Sequence, residues 1–363
     1  MSICTAALRG LASVAALSLC VAAAPAAAAT VGDALDRPAL ATLPGAQSVM
    51  LGAARAGARI VAVGERGLVM LSDDAGAHWR QVSVPVSVSL TAVRFADANH
   101  GMIVGHGGVV LTSSDAGQSW TRRLDGKRMA QLALDAARAS GDATRLKEAQ
   151  RLVADGADKP LLDLELFDAK HALVVGAYGL AYTTADGGQS WSASMDRLDN
   201  PKGLHLYSVR RLGDTVLIAG EQGLVLLSGD AGQSFKRLAL PYKGSFFTAE
   251  LPGPAELVVA GLRGNVWRSV DAGASWVQMA VPMPVSITGS ARAADGTLLL
   301  VNQAGRVLVP RSAGWQPLPG RPLPPLNGLL PLNDGALLAL TIQGLITLPA
   351  SALPTTPSNG PAK

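Results

Sequence analysis

Cysteine is nearly missing from this chain: there are 2, Cys4 and Cys20. Both fall in an N-terminal stretch that reads as an export signal. Arg9 forms a short basic start, Leu11 to Ala24 an apolar run too short for a comfortable membrane anchor, and Ala27-Ala28-Ala29 a small-residue cleavage pattern. A lipid anchor would use Cys20, but bulky Leu19 precedes it where a lipoprotein signal takes a small residue. Residues 1–29 are therefore set apart, and the mature chain is expected to start at Thr30. It then carries no thiol, which excludes disulfides and cysteine-based catalysis or metal binding, although the exported compartment would permit disulfides. Stability has to come from a packed core.

Charge of one sign is also lacking. With Arg9 removed, 30 basic residues stand against 27 acidic ones, too even a balance to draw in nucleic acid or an anionic membrane. No second apolar run reaches membrane-spanning length without a charge, a proline or a turn signal, so no direct membrane insertion is expected after signal cleavage. Aromatics make up 4% of the chain, few for the stacking platforms of a sugar-binding protein. His78, His100, His106, His171 and His205 show no metal-ligand spacing, and HExxH, GxSxG and phosphate-loop motifs are absent. No metal or cofactor is expected.

What is present is repetition. A polar turn ending in an aromatic occurs five times: SDDAGAHW from Ser72, SSDAGQSW from Ser113, TADGGQSW from Thr184, SGDAGQSF from Ser228 and SVDAGASW from Ser269. Before each stands a pair of short apolar runs joined by a tight turn ending in glycine, as in MIVGHGGVVLTS from Met102, which is a hairpin signal. Two weaker hairpins follow, from Leu299 and Leu337. Gly67, Gly108, Gly179, Gly223, Gly264, Gly305 and Gly344 mark these turns at intervals of 41, 71, 44, 41, 41 and 39 residues. Such spacing predicts an all-β, seven-bladed β-propeller over residues 30–349, each blade a four-stranded sheet, with one insertion. In the second unit the strands are expected near Leu90–Phe95, Met102–Gly105, Val109–Ser113 and Ser119–Leu124. The seventh unit has no outer strand of its own, and a segment near Ala39–Leu43 is expected to supply it against Leu345–Leu348, closing the ring. The insertion, 126–157, reads as a helical hairpin between blades 2 and 3, with Asp142 as N-cap and Gly156 as stop. Its apolar stripe must be buried on the propeller or on a partner, and its removal is expected to leave the fold intact. Residues 350–363 are Pro/Ser/Thr-rich and read as a disordered tail.

The aromatic turn resembles the Asp-box of BNR-repeat proteins such as sialidases. Together with the VxGxxGxxxxS hairpin, it looks like the photosystem II assembly and stability factor family, within the wider WD40/YVTN/BNR-like repeat propellers. That resemblance covers roughly Ala39 to Pro349. It implies a periplasmic or secreted, non-catalytic scaffold or assembly factor that binds a protein partner, such as an envelope membrane-protein complex or transporter. A monomer is expected. The alternative is a sialidase-like glycoside hydrolase or carbohydrate-binding propeller. The F/Y-R-I-P arginine motif of sialidases is absent, and only Tyr178 and Tyr207 stand where an inward nucleophile would be.

Three sets of residues follow. Asp74, Asp115, Asp186, Asp230 and Asp271 can hold the N–H groups of their own turns, while Trp79, Trp120, Trp191, Phe235 and Trp276 can wedge between blades; both sets read as structural. On the opposite face the hairpin turns vary from copy to copy, and Glu65, Arg66, His106, Tyr178, Glu221, Gln222 and Arg263 are the candidates for partner binding. Finally, Arg94, Glu165, Arg210, Glu250 and Arg292 align on the innermost strands with alternating sign, as a charge girdle lining the channel.

Overall fold

The computed structural model describes residues 33–41, 45–312 and 314–352; the signal read at 1–29, Leu43 and the tail past Ala352 lie outside them. Six four-stranded antiparallel sheets and one three-stranded sheet follow one another along the chain. The second is built from Leu90–Phe95, Gly101–Gly105, Val110–Ser113 and Thr121–Leu124, and the others repeat its order. The first strands of the sheets are Met50–Ala56, Leu90–Phe95, Leu161–Leu166, Leu206–Leu212, Phe246–Gly253, Ile287–Arg292 and Leu326–Pro331; each touches the next, and the last touches the first. In this all-β, propeller-like arrangement each inner strand is the edge of its own sheet, protected by the inner strands on either side of it.

The second strand of each sheet is buried on both faces, as in Gly101–Gly105 and Ala172–Gly176, which explains its unbroken run of aliphatics. The core lies between sheets: Val61, Val63 and Leu71 of the first pack with Val93, Ile103 and Leu111 of the second, and such layers recur around the ring. Hydrogen bonds from inner-strand side chains join neighbours. Thr91 Oγ1 donates to the Leu161 carbonyl at 2.8 Å and Thr288 Oγ1 to that of Leu326 at 2.6 Å. Between the last and first sheets, Asn327 Nδ2 donates to the Met50 carbonyl at 2.9 Å.

Every inner strand carries a β-bulge at its second residue, shifting register between Leu206 and Ser208, for example, and at the matching points of the other six. A bulge re-aims the extra side chain, here Leu51, Thr91, Leu162, Tyr207, Phe247, Thr288 or Asn327.

Of the expected closing strand, Ala39–Leu43, only residues 39–41 lie among those described, and that part is not paired with Leu345–Leu348. Among the described residues the seventh sheet has three strands, and the segment 33–41, which precedes the first sheet, runs along that first sheet instead. Ala39 N–H donates to the Val84 carbonyl at 3.1 Å, and Ser87 N–H to that of Ala34 at 2.7 Å. The cause is Leu35, 5% exposed, which is buried in the layer between the first and second sheets. Its carbonyl accepts from Arg122, which fixes the described part of the segment, residues 33–41, on the first sheet.

Two helices, α1 (Gly126–Ser140) and α2 (Ala143–Asp155), lie between the second and third sheets. Asp125 and Asp142 cap them, the latter accepting from the N–H groups of Thr144 and Arg145. The stripe of α1 is shared: Met129 belongs to the layer between the second and third sheets, where Tyr182 O–H donates to its carbonyl at 2.8 Å, while Ala133, Leu134 and Ala137 cluster with Leu146 and Ala149 of α2. Removing the hairpin would therefore open a core layer, contrary to the expectation from sequence. No helix among the described residues is long and apolar enough to cross a membrane.

Candidate functional site

The two rims of the ring are made of different turns. On one, the five Asp-boxes share a single geometry. Ser113 Oγ donates to Asp115 Oδ1 at 2.8 Å and accepts from Gly117 N–H at 2.9 Å, while Ser119 donates its N–H and its hydroxyl to the two carboxylate oxygens. Asp186 repeats this with Thr184 and Ser190, Asp230 with Ser228 and Ser234, and Asp271 with Ser269 and Ser275. In the first box His78 takes the place of the last serine, its Nδ1 2.6 Å from Asp74 Oδ2. Hydrogen bonds to the ionised form lower a carboxyl pKa. Those from Ser190 hold Asp186 down at about 2, and those from His78 do the same for Asp74.

The aromatics behind these turns pack on the preceding sheet. Trp120 joins the layer of Val61 and Leu71, Trp191 that of Met102 and Val104, Phe235 that of Leu173 and Val175, and Trp276 that of Leu217. Trp79 packs on Leu338 of the seventh sheet. Sequence reasoning missed one detail of the turn. The residue before the glycine also has positive φ, and it is Ala75, Ala116, Gly187, Ala231 or Ala272.

The opposite rim carries three-residue 3-10 turns, Glu65–Gly67, His106–Gly108, Ala177–Gly179, Glu221–Gly223 and Leu262–Gly264. The middle residue of each lies in the left-handed region: Arg66 at φ 56°, Gly107 at 66°, Tyr178 at 56°, Gln222 at 53° and Arg263 at 56°. Glycine adopts this conformation freely, whereas an L side chain costs about 1 kcal/mol there. Four turns thus hold large side chains where a hydrogen atom fits best, and Arg66, Tyr178, Gln222 and Arg263 are exposed. Glu65 and Arg66 line a cavity of about 600 Å³ together with Arg37, Leu68 and Ile342. His106 is exposed at the start of its turn.

Tyr178 is brought into a row of rings. Its centroid is 4.8 Å from that of His205, which stands 6.1 Å from Tyr207, itself 5.3 Å from Phe247, all edge-on. Tyr178 N–H donates to His205 Nδ1 at 2.7 Å, and Lys159 Nζ lies 5.0 Å over the Tyr178 ring. Glu221 Oε2 accepts from His205 N–H at 3.2 Å.

The channel charges are partly as expected. Arg94, Glu165, Arg210 and Glu250 are each the fifth residue of their inner strands, counted from Leu90, Leu161, Leu206 and Phe246. Arg292 is the sixth residue of its strand, one step off, and that step turns a side chain away. It is exposed and donates to the carbonyls of Leu251 and Pro252, so it does not belong to the girdle. The centre of the network is a residue the sequence reading overlooked, Asp163. Arg94 Nη2 lies 3.2 Å from its Oδ1 and Arg210 Nη1 2.5 Å from its Oδ2, and Val209 N–H donates to it as well. Burial pushes the Asp163 carboxyl up, but the two arginines outweigh it and the group stays lowered and ionised. Arg210 also faces Glu250, Nε to Oε1 at 3.8 Å, and Ser290 Oγ donates to that carboxylate at 2.7 Å. Glu165 is left without an ion pair among the described residues. Burial raises its carboxyl to about 7, against the pull of Arg94 and Arg210. No repeat signals Asp163, because it occurs in one strand alone.

Residues 71–146 and 143–321 match the family described as photosynthesis system II assembly factor YCF48. The chain belongs to the YCF48 family. Among its relatives, the photosystem II assembly lipoprotein Ycf48 of Synechococcus sp. (strain CC9902) is 32% identical over 97 residues. That stretch spans 27% of this chain and 27% of the relative. The solved structure of YCF48 bound to a D1 peptide superposes with a TM-score of 0.62 at 18% identity, covering 86% of this chain and 98% of the other. YCF48 from Cyanidioschyzon merolae gives 0.64 at 16% identity, over 87% and 99% of the two chains. The WD40 propeller domain of Doa1 gives 0.62 at 10% identity, over 87% and 96%. An unrelated propeller superposes as well as the YCF48 structures do, so these likenesses show the fold and leave the partner to the family and the site.

Proposed function

We propose that this chain is an exported, non-catalytic seven-bladed propeller, acting in the periplasm or outside the cell as an assembly or stability factor. Its partner is a segment of an envelope membrane-protein complex, such as a transporter, and its binding surface is the rim of 3-10 turns. One observation carries this reading. Large, varied side chains occupy left-handed positions on that rim at an energetic cost, and backbone strain that packing does not repay marks functional surfaces. The YCF48 relative solved with a D1 peptide supports a peptide segment as the class of ligand.

The hydrolase reading loses support from the channel. A sialidase-type site needs arginines converging on an anionic substrate. Here Arg94 and Arg210 are committed to Asp163, and Arg292 to backbone carbonyls. Tyr207 lies near a carboxylate, but burial and then the charge of Glu221 raise its hydroxyl, the opposite of an activated nucleophile.

Affinity capture from a detergent-solubilised envelope fraction, run beside a glycan array, tests the proposal. The expected result is one membrane complex retained by the parent protein and lost from the folded double variant Arg66→Gly/Arg263→Gly. A reproducible glycan hit with no protein partner, or capture undiminished in the double variant, would overturn it.

A further inference from the structure

The rings of the turn rim gather in one sector. The row starts at Tyr178, 58% exposed, and runs through His205 to Tyr207 and Phe247, the re-aimed bulge residues of two neighbouring inner strands. One end of the row already holds a cation: Lys159, fixed by Asp155 and Asp158, stacks on Tyr178. Toward the inner end the charge is reversed. Glu221 is half-buried beside the row, accepts from the His205 backbone N–H, and forms no ion pair among the described residues.

A carboxylate beside aromatic faces attracts a cation twice, through the ring quadrupole and through its own charge. Among protein cations the guanidinium suits this geometry best. It is planar, stacks on rings, offers its edge N–H groups to a carboxylate, and gives up its hydration more easily than an ammonium. We infer that the Tyr178–His205–Tyr207–Phe247 row and Glu221 together bind an arginine side chain presented by an extended segment of the partner. This rests on the turn rim being the binding surface. It adds a charge-specific contact on a chain whose net charge selects nothing.

The test uses four capped pentapeptides, Ac-Gly-Ser-Xaa-Ser-Gly-NH2, with arginine, lysine, glutamine or glutamate in the middle. Each is titrated into the isotope-labelled protein while the resonances of His205, Tyr207 and Glu221 are followed. The arginine peptide should shift all three saturably and bind about tenfold more tightly than the glutamine peptide, as one desolvated cation–π contact predicts. Glu221→Gln, which keeps the acceptor for His205 N–H, should abolish that preference, and Tyr207→Leu should weaken it about tenfold. Equal response to the arginine and glutamate peptides, no response to either, or an unchanged arginine preference in Glu221→Gln would overturn the inference. If arginine preference is absent while envelope capture is still lost in Arg66→Gly/Arg263→Gly, the arginine site alone fails. If capture survives that double variant, the wider reading fails with it.

Discussion

At Ala75, Ala116, Ala231 and Ala272 the Asp-box rim bends through the left-handed region on a methyl group; at Arg66, Tyr178, Gln222 and Arg263 the opposite rim does so under long side chains. The backbone demand is the same, and so is the fivefold repetition. On the first rim the surrounding residues are repeated too. Each carboxylate faces inward on its own turn, and each aromatic anchors the preceding sheet. On the second rim the side chains differ from sheet to sheet and contribute little to the packing beneath them. Repetition of side chains thus follows stability, while repetition of backbone with varied side chains follows recognition.

The widest separation of the two rims should come from Trp191→Ala. This ring is buried in the layer between the second and third sheets, and its loss should cost about 3–5 kcal/mol in chemical denaturation, with envelope capture per folded molecule unchanged. If capture fell while stability held, the division of labour would be reversed. Acid should separate the rims next. The carboxyls of Asp74, Asp186 and Asp271 sit near 2 in the folded protein against 3.8 for the free group. The unfolded chain then binds protons first, so their stabilisation is complete above pH 4 and is lost as pH falls toward 2. Melting temperature followed from pH 5 to 2 should drop in that window. The drop should shrink in Asp186→Asn, and an unchanged slope would remove the Asp-box from the account.

Glu165, between the rims, should act with the opposite sign. Its carboxyl is raised from 4.5 to about 7, so the folded state holds the proton longer and stability declines as pH rises through that interval. Glu165→Gln should therefore melt higher than the parent at pH 8, with the gain gone by pH 4.5; a gain constant with pH would point to packing instead. The smallest expected effect is the most direct comparison. Gln222→Gly and Ala231→Gly each relieve a left-handed residue and should each raise stability by about 0.5–1 kcal/mol. Of the two, only Gln222→Gly should weaken partner capture.

The sheets were legible because glycine turns and Asp-boxes recur at a nearly constant interval, and a recurring motif reports a recurring structure. What occurred once could not be read this way. Asp163 has no counterpart at its position in the other inner strands, and only the folded ring brings Arg94 and Arg210 to it from the two neighbouring strands. His205 owes its place to a connection, with no motif around it. Arg292 falls one residue out of line because register is fixed by the buried residue that opens each strand, here Ile287, which a charge near the strand's end does not reveal. The segment around Ala39 does have the composition of an outer strand. Its position was decided by Leu35, whose burial between two sheets is a tertiary fact. Within the candidate site, the exposed turn residues were legible from their variation, while the ring row was hidden, since its four members come from three separate stretches of chain.

The bond from Asn327 to Met50 joins residues 277 positions apart, and it has a consequence for how the molecule comes into being. A chain that emerges N-terminus first must keep its opening sheet waiting until its final one has arrived. During that interval the apolar flank that will meet Leu338 and Leu340 is uncovered, and contacts so distant in sequence form slowly. The seam is therefore the place where biogenesis is most exposed to aggregation and where a chaperone would have most to protect.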